Sequence, residues 1–241
     1  MGNGSDPRSQ SAQGFTALHL AVFNMHADVV NILIQAAPTT VNVESQTGMI
    51  ALRQSIWNDD VGVMNLLLQA GATTVDGGSD TALHYAALSG NLNVTTELMQ
   101  RSVDRSPRNR RGVTPMHLAA LCGDTALISL FRTAGADSSC RDHKGCMPIH
   151  MAAYYAQVTT LNILVEKAAD LQVQDEIGRT PLHYLGGVEG ISGTAAVKQV
   201  QLYSGKTEKF SGSASSASIA IVAQTCPSGT RLDVPQCSTQ R

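Results

Sequence analysis

One six-residue phrase returns six times along the chain, and its spacing limits the possible folds more than any other feature. The copies are GFTALH (Gly14 to His19), GMIALR (Gly48 to Arg53), SDTALH (Ser79 to His84), GVTPMH (Gly112 to His117), GCMPIH (Gly145 to His150) and GRTPLH (Gly178 to His183). Their first residues lie 34, 31, 33, 33 and 33 positions apart. A fixed period of this length marks a solenoid, in which each unit is too small to bury its apolar face alone and shares one core with its neighbours. Proteins of this kind usually bind other molecules rather than transform them.

The fourth copy shows how each unit is built. Thr114 stands where a helix N-cap belongs, and Pro115 takes the first helical position, where a missing N–H costs nothing. Thr180 and Pro181 repeat the arrangement. Met116, Leu118, Ala119 and Ala120 give a face of mostly small residues that a second helix can approach closely. Gly123 ends the first helix at a position suited to left-handed geometry. Ala126, Leu127, Leu130 and Phe131 recur at helical spacing and form the inward stripe of a second helix. Gly135-Ala136 closes it, and a mainly polar stretch, Asp137 to Lys144, leads to the next copy.

Thr-Pro-Leu-His at a 33-residue period is the signature of ankyrin repeats, and the chain resembles that family from residue 14 to residue 185, about seven tenths of its length. The expected fold is all-α: an ankyrin-repeat solenoid of about five full helix-turn-helix repeats and a degenerate sixth. Residues 1–13 are expected to be a disordered N-terminus. Residues 14–185 hold the array, with repeats starting near 14, 48, 79, 112, 145 and 178, and residues 186–241 form a low-complexity, largely disordered tail. The resemblance implies that the polar stretches are β-hairpin fingers, and that fingers and inner helices form a groove for a protein partner. It also implies that His19, His84, His117, His150 and His183 bond the Thr hydroxyl three residues earlier and the neighbouring loop backbone. Their spacing is the period of the fold, which argues against a metal or proton-relay role.

Three repeats depart from the pattern. In the second, Ile50 replaces the capping Thr and Arg53 replaces the His, which removes a cap worth ~1 kcal/mol. That repeat also carries the only Trp, Trp57. It reads as a degenerate unit held by its neighbours, or as a local binding spot formed by Arg53 and Trp57, two residue types favoured as interface anchors. The fifth has Met147 in place of Thr and Ala156-Gln157 where a turn Gly is common. The sixth runs into Gly186-Gly187-Val188-Glu189-Gly190, too flexible to continue a helix in register. Beyond it, Ser204 to Ser218 is rich in Ser, Gly and Ala, a composition that reads as linker.

The chain has 241 residues, a net charge of −2 and 43% hydrophobic residues. Near-neutral charge gives no general drive toward nucleic acid or an anionic membrane. The apolar run Ile219 to Ala223 is far short of the ~20 residues a membrane span requires. The five cysteines (Cys122, Cys140, Cys146, Cys226, Cys237) accompany no secretory segment, so reduced thiols in the cytoplasm, with a nuclear alternative, are expected. Asp6 stands where a myristoylation motif wants Ser or Thr. No P-loop, G-x-G-x-x-G, H-E-x-x-H or G-x-S-x-G motif is present, so neither catalytic residues nor a cofactor are expected. Cys140, His143 and Cys146 have metal-like spacing, but zinc wants four ligands and no fourth is indicated.

The most distinctive surface is basic. Arg101, Arg105, Arg108, Arg110 and Arg111 fall within eleven residues, offset only by Asp104. Guanidinium forks suit carboxylate or phosphate partners. The alternatives are a merely solvated finger, a dock for an acidic protein segment, and a nuclear-localisation or nucleic-acid patch using Arg108 to Arg111. Ser106-Pro107, between Arg105 and Arg108, resembles a proline-directed phosphorylation site whose phosphate would partly neutralise the patch. The expected function is a non-enzymatic, monomeric protein-binding scaffold that takes a protein partner with an acidic segment, without nucleic acid. Two further possibilities are the regulatory ankyrin portion of a cation channel, phosphatase or other enzyme complex, and an inhibitor of the NF-kappa-B type.

Overall fold

The computed structural model of the chain describes residues 6–75, 79–101, 104–165 and 171–186, and divides it into two compact units, Met1–Arg110 and Arg111–Arg241. The first unit contains α1 (Ala17–Phe23), α2 (Ala27–Ala36), α3 (Ala51–Trp57), α4 (Val61–Gln69), α5 (Ala82–Ser89) and α6 (Leu92–Arg101), with a 3-10 turn at Pro38–Thr40. The second contains α7 (Pro115–Cys122), α8 (Thr125–Thr133), α9 (Pro148–Tyr154), α10 (Val158–Val165) and α11 (Pro181–Gly186). Five helix pairs and the first helix of a sixth repeat therefore stand where the 33-residue period places them. The tail expected over residues 186–241 lies, from 187 onward, outside the described residues.

Within each unit the first helices pack in sequence order, α1 on α3 on α5 and α7 on α9 on α11. The second helices form a parallel layer, α2 on α4 on α6 and α8 on α10. Buried alanines let the first helices come close: Ala51, Ala86 and Ala87 in the first unit, and Ala119, Ala120, Ala152 and Ala153 in the second. The core between the layers is built of large apolar side chains, with Leu18, Val30, Leu52, Ile56, Met64 and Leu67 in the first unit and Met116, Leu127, Ile128, Phe131, Ile149 and Leu161 in the second. The packing is continuous along each row, so no helix pair has a core of its own.

The links between repeats are tight turns closed by a side chain rather than by a strand ladder. Among the described residues the only β feature is the isolated bridge Val75–Thr81. Ser45 Oγ accepts the N–H groups of Thr47 (3.3 Å) and Met49 (3.1 Å). At the equivalent place Asp142 Oδ1 accepts from Lys144 (2.9 Å) and Cys146 (2.8 Å), and Asp175 Oδ1 from Ile177 (3.0 Å) and Arg179 (2.8 Å). These short side chains complete the turn by bonding their own backbone two and four residues on. Ser11 makes the same turn ahead of the first helix, accepting from Gln13 (3.3 Å) and Phe15 (3.1 Å). Neighbouring turns are joined by a backbone rung that spans 32 or 33 residues: Gln46 N–H to Gln13 O (3.0 Å) in the first unit, and His143 N–H to Arg111 O (2.9 Å) and Glu176 N–H to Lys144 O (3.0 Å) in the second.

That rung explains the glycine opening the first and fifth copies, Gly14 and Gly145. Gly145 has φ +74°, and a Cβ built there would stand 2.8 Å from the Glu176 nitrogen. Gly48 has a similar φ of +70° with nothing within 4 Å. Gly48→Ala should therefore carry only the left-handed strain, on the order of 1–2 kcal/mol, while Gly145→Ala adds a clash with backbone and should cost clearly more. Equal losses in chemical denaturation of the two variants would refute the close-approach account.

The helix–helix junctions give the complementary case. Gly90 and Gly123 end α5 and α7 at φ +76° and +77°, as the sequence suggested for Gly123. The same junction in other repeats is occupied by Met25 (φ 57°), Asp59 (φ 55°) and Ala156 (φ 53°). Ala156 thus pays the Cβ penalty that glycine avoids. Ala156→Gly should stabilise the protein by about 0.5–1 kcal/mol, the left-handed strain relieved less the extra unfolded-state entropy of glycine. A melting temperature that falls in this variant would contradict the assignment.

Candidate partner-binding site

The basic segment begins on α6. Arg101 Nε donates to Glu97 Oε1 at 2.8 Å, one helical turn back. Glu97 also accepts from Asn65 Nδ2 of α4 at 3.4 Å, so Arg101 is held against the helix layer. Beyond it, Asp104 Oδ1 accepts the Ser106 N–H at 2.9 Å and sets a local turn at Ser106-Pro107. Arg105 and Arg108 on either side are exposed. The segment is then pinned to the preceding turn: buried Asn109 donates to Asp80 Oδ1 at 2.7 Å, and Arg110 Nε to Ser79 Oγ at 3.1 Å. Arg111, exposed, opens the second unit, where its carbonyl receives the rung from His143. Residues 102 and 103 lie outside the described residues.

Beside this segment, within the first unit, is a cleft of about 530 Å³. Leu68, Ala82, Leu83 and Leu98 contribute apolar walls, and Arg101, Asp104 and Pro107 stand at its basic side. The cleft had no signal in the sequence, because it arises where α4, α5 and α6 meet rather than from any contiguous motif.

Arg53 and Trp57 are placed differently from one another. The Arg53 guanidinium lies over the Tyr85 ring of the next repeat, 4.2 Å from its centroid. Its Nε is buried with no hydrogen-bond partner. Arg53 is therefore spent on packing α3 against α5, and stacking replaces the histidine bond that this repeat lacks. Trp57, one turn later, is the part of the pair that reaches the surface. Ile50, as its side chain requires, makes no cap bond.

His19 and His117 make both bonds that the resemblance implied, to the Thr three residues earlier and to the neighbouring loop backbone. In the first unit Thr16 N–H donates to His19 Nδ1 (3.2 Å), Thr16 Oγ1 lies 2.9 Å from the same nitrogen, and His19 Nε2 meets the Met49 carbonyl (3.0 Å). In the second, His117 pairs with Thr114 and with the Cys146 carbonyl (3.0 Å). His150 lacks a hydroxyl partner because Met147 replaces Thr, but keeps the Met147 N–H (3.0 Å) and the Val173 carbonyl (3.2 Å). A carbonyl only accepts, so in these three rings Nε2 carries the proton and Nδ1 accepts: His19, His117 and His150 are each a neutral bridge from a helix N-terminus to the next turn. Burial lowers the pKa of His19 and of His150, outweighing the carbonyl bonds that favour the charged form.

Cys140, His143 and Cys146 are not gathered into a site. Cys140 Sγ approaches Asp137 Oδ2 (3.4 Å), His143 is exposed, and buried Cys146 Sγ lies 3.4 Å from Tyr184 Oη. Cys146 belongs to a network the sequence did not reveal. Tyr184 Oη donates to Asp175 Oδ2 at 2.7 Å, Arg179 Nε donates to the same oxygen at 2.8 Å, and the Arg179 guanidinium lies 4.5 Å above the Tyr184 ring. Burial pushes both the Cys146 thiol and the Tyr184 phenol upward. Burial would also raise Asp175, but the bonds from Tyr184 and Arg179 outweigh it and hold the carboxyl below its usual range. A protonated phenol clamped on a carboxylate, with a protonated thiol against the phenol oxygen, makes a structural lock between α11, its turn and the residues leading into α9, with no activated nucleophile.

Residues 1–77 and 49–142 match a family model described as ankyrin repeats in three copies, and residues 149–185 match a second described as ankyrin repeats in many copies. No curated protein matches the chain.

The neutral histidine bridges predict an acid-sensitive fold. With folded-state pKa values below the ordinary 6.5, the unfolded chain takes up protons first. Stability is then full above about pH 6.5 and declines as pH falls below it, by at most ~1.4 kcal/mol per pH unit for each histidine. Thermal melts across this range should show the decline, and His150→Gln, though less stable at neutral pH, should show a shallower one. An unchanged slope in that variant would remove His150 from the account.

Proposed function

The chain belongs to the ankyrin repeat family, whose members are generally protein–protein interaction modules, and from that premise we propose that it is a non-enzymatic scaffold that captures an acidic segment of a partner protein on the basic stretch following α6. The observation that carries the proposal is the exposure of Arg105, Arg108 and Arg110 beside the apolar cleft of the first unit. The two features divide the work. An exposed ion pair contributes only ~0–1 kcal/mol, so the arginines mainly orient and accelerate encounter. Burying one Leu-sized side chain in the cleft contributes about 1.5–3 kcal/mol, enough to set residence time. A segment with an apolar anchor flanked by carboxylates fits both. Ordered turns, pinned by Asn109 and Arg110 to the preceding repeat, lower the entropy lost on binding.

Ser106 gives this surface a regulatory position. A phosphate there would sit beside Asp104 and between Arg105 and Arg108, adding negative charge to the face that attracts carboxylates. The same chemistry disfavours an acidic ligand whether the phosphate pairs with the arginines or repels the ligand directly.

The test compares proteins recovered by the full chain with those recovered by an Arg105→Glu, Arg108→Glu, Arg110→Glu variant of the same fold. Acidic partners should be lost from the variant, and their association with the unaltered chain should slow as salt is raised. Identical recoveries would show that the basic stretch is merely solvated. With a partner in hand, Ser106→Asp should weaken binding several-fold at low salt and less at high salt. Equal affinities at both would remove Ser106 from the proposal.

A further inference from the structure

The cleft of the first unit has room for more than one side chain. Its volume of about 530 Å³ falls within the ~300–1,000 Å³ of sites that enclose a whole ligand. Leu68, Leu83 and Leu98 line it from three different helices, α4, α5 and α6. The backbone around it is already in use. Ala82 N–H donates to Thr74 O (2.7 Å), Thr81 N–H to His84 Nδ1 (3.0 Å) and Ser106 N–H to Asp104 Oδ1 (2.9 Å), while Pro107 has no N–H to give. Among the described residues no strand runs beside the cleft, since the only β feature is the isolated bridge Val75–Thr81. An extended segment laid here would meet no free edge, so its backbone groups would lose water without gaining partners. It would also turn every second side chain away from the apolar walls. A helix carries its backbone bonds within itself and puts residues i, i+3, i+4 and i+7 on one side.

One cation at the cleft is set for a carboxylate. Arg101 lines it, Glu97 holds the Arg101 Nε at 2.8 Å, and the two terminal nitrogens of that guanidinium make no hydrogen bond with a described residue. A guanidinium fixed at Nε presents the rest of its fork in one orientation, so pairing it with a carboxylate costs less ordering. We propose that the partner segment captured by the first unit is an amphipathic helix, its apolar stripe seated in the cleft and a carboxylate at the edge of that stripe paired with Arg101. The inference rests on the reading of the basic stretch as a dock for an acidic segment, and adds the conformation of that segment and its anchor. Charge complementarity selects this occupant: Arg101 stands at the cleft itself, and the exposed Arg105, Arg108 and Arg110 follow it in the chain. The distal three act on approach, and Arg101 acts on the seated helix.

Fluorescence anisotropy of three labelled peptides with the full chain tests the proposal. The first peptide has about 15 residues, enough to form a helix, with Leu at i, i+3, i+4 and i+7, Glu beside that stripe and Ala elsewhere. The second has the same composition with Leu at alternate positions. The third is the first with one Ala on the far side replaced by Pro, which breaks the helix and keeps every Leu and Glu. The first should bind at least ~10-fold more tightly than either of the others. Thr74 lines the cleft and is exposed, so Thr74→Trp fills the space without disturbing the core. It should weaken the first peptide by ~10-fold or more while the melting temperature of the protein stays the same. Arg101→Gln should weaken it several-fold. Equal or tighter binding of the alternating peptide overturns the helix and leaves the acidic-segment reading intact. Full affinity in Thr74→Trp, or no binding of the first peptide, overturns the cleft as its seat, and full affinity in Arg101→Gln overturns the assigned pairing. The Arg105→Glu, Arg108→Glu, Arg110→Glu variant separates the two levels. Unchanged affinity there removes the basic stretch from the underlying reading, whereas a loss there with no preference among the peptides removes the helix alone.

Discussion

A neutral imidazole joining one helix start to the next turn is the contact on which this fold depends. Each helix pair is too short to persist alone: the first helices run only six to eight residues. Isolated helices of that length are marginal in water, so their ends must be fixed from outside. His19 and His117 do this twice over, holding the Thr at their own N-cap and reaching the carbonyl of the following turn. The contact is local on one side and inter-repeat on the other. It converts a sequence period into a stacking period, and the backbone rungs between turns then keep the register.

Substitutions at that bridge show how much of it is replaceable. In the fifth repeat Met147 removes the hydroxyl, yet His150 keeps a backbone donor and a carbonyl acceptor, so the ring stays in place. In the second repeat both partners are gone. Arg53 stacks on Tyr85 instead, leaving a buried Nε without a hydrogen bond. An unpaired buried donor costs about 1–3 kcal/mol, so this repeat is held by its neighbours rather than by its own caps. In the last described repeat Tyr184 takes on a similar joining role through Asp175, Arg179 and Cys146. Different chemistry serves one need, which is to tie each first helix to the adjoining repeat.

The architecture was legible because its determinants are local and repeated. The Thr-Pro start, the left-handed glycine and the 33-residue spacing each act within a few residues, and six copies reinforce one another. The turn chemistry was less visible, because Ser and Asp serve interchangeably as the closing acceptor. The roles of Arg53 and Tyr184 were hidden, since each depends on a side chain about thirty residues away or across a turn. The cleft beside the basic segment was hidden for the same reason: Leu68, Leu83 and Leu98 read individually as core, and only their packing leaves a space between them. The exposed face of the first repeat has a different status. Val29 looks like an interior residue in the sequence because its counterparts Val63, Val94 and Thr160 are buried, yet in the first repeat that position is 44% exposed.

The two surfaces of the first unit obey different physics, and this bears on how they would act together. On the proposed reading the basic stretch acts through exposed ion pairs, each weak and weakened further by salt. The cleft beside it would act by removing apolar area from water, which salt does not weaken. Salt therefore separates the two kinds of contact: binding carried by the arginines falls as salt is raised, and binding carried by buried apolar area does not.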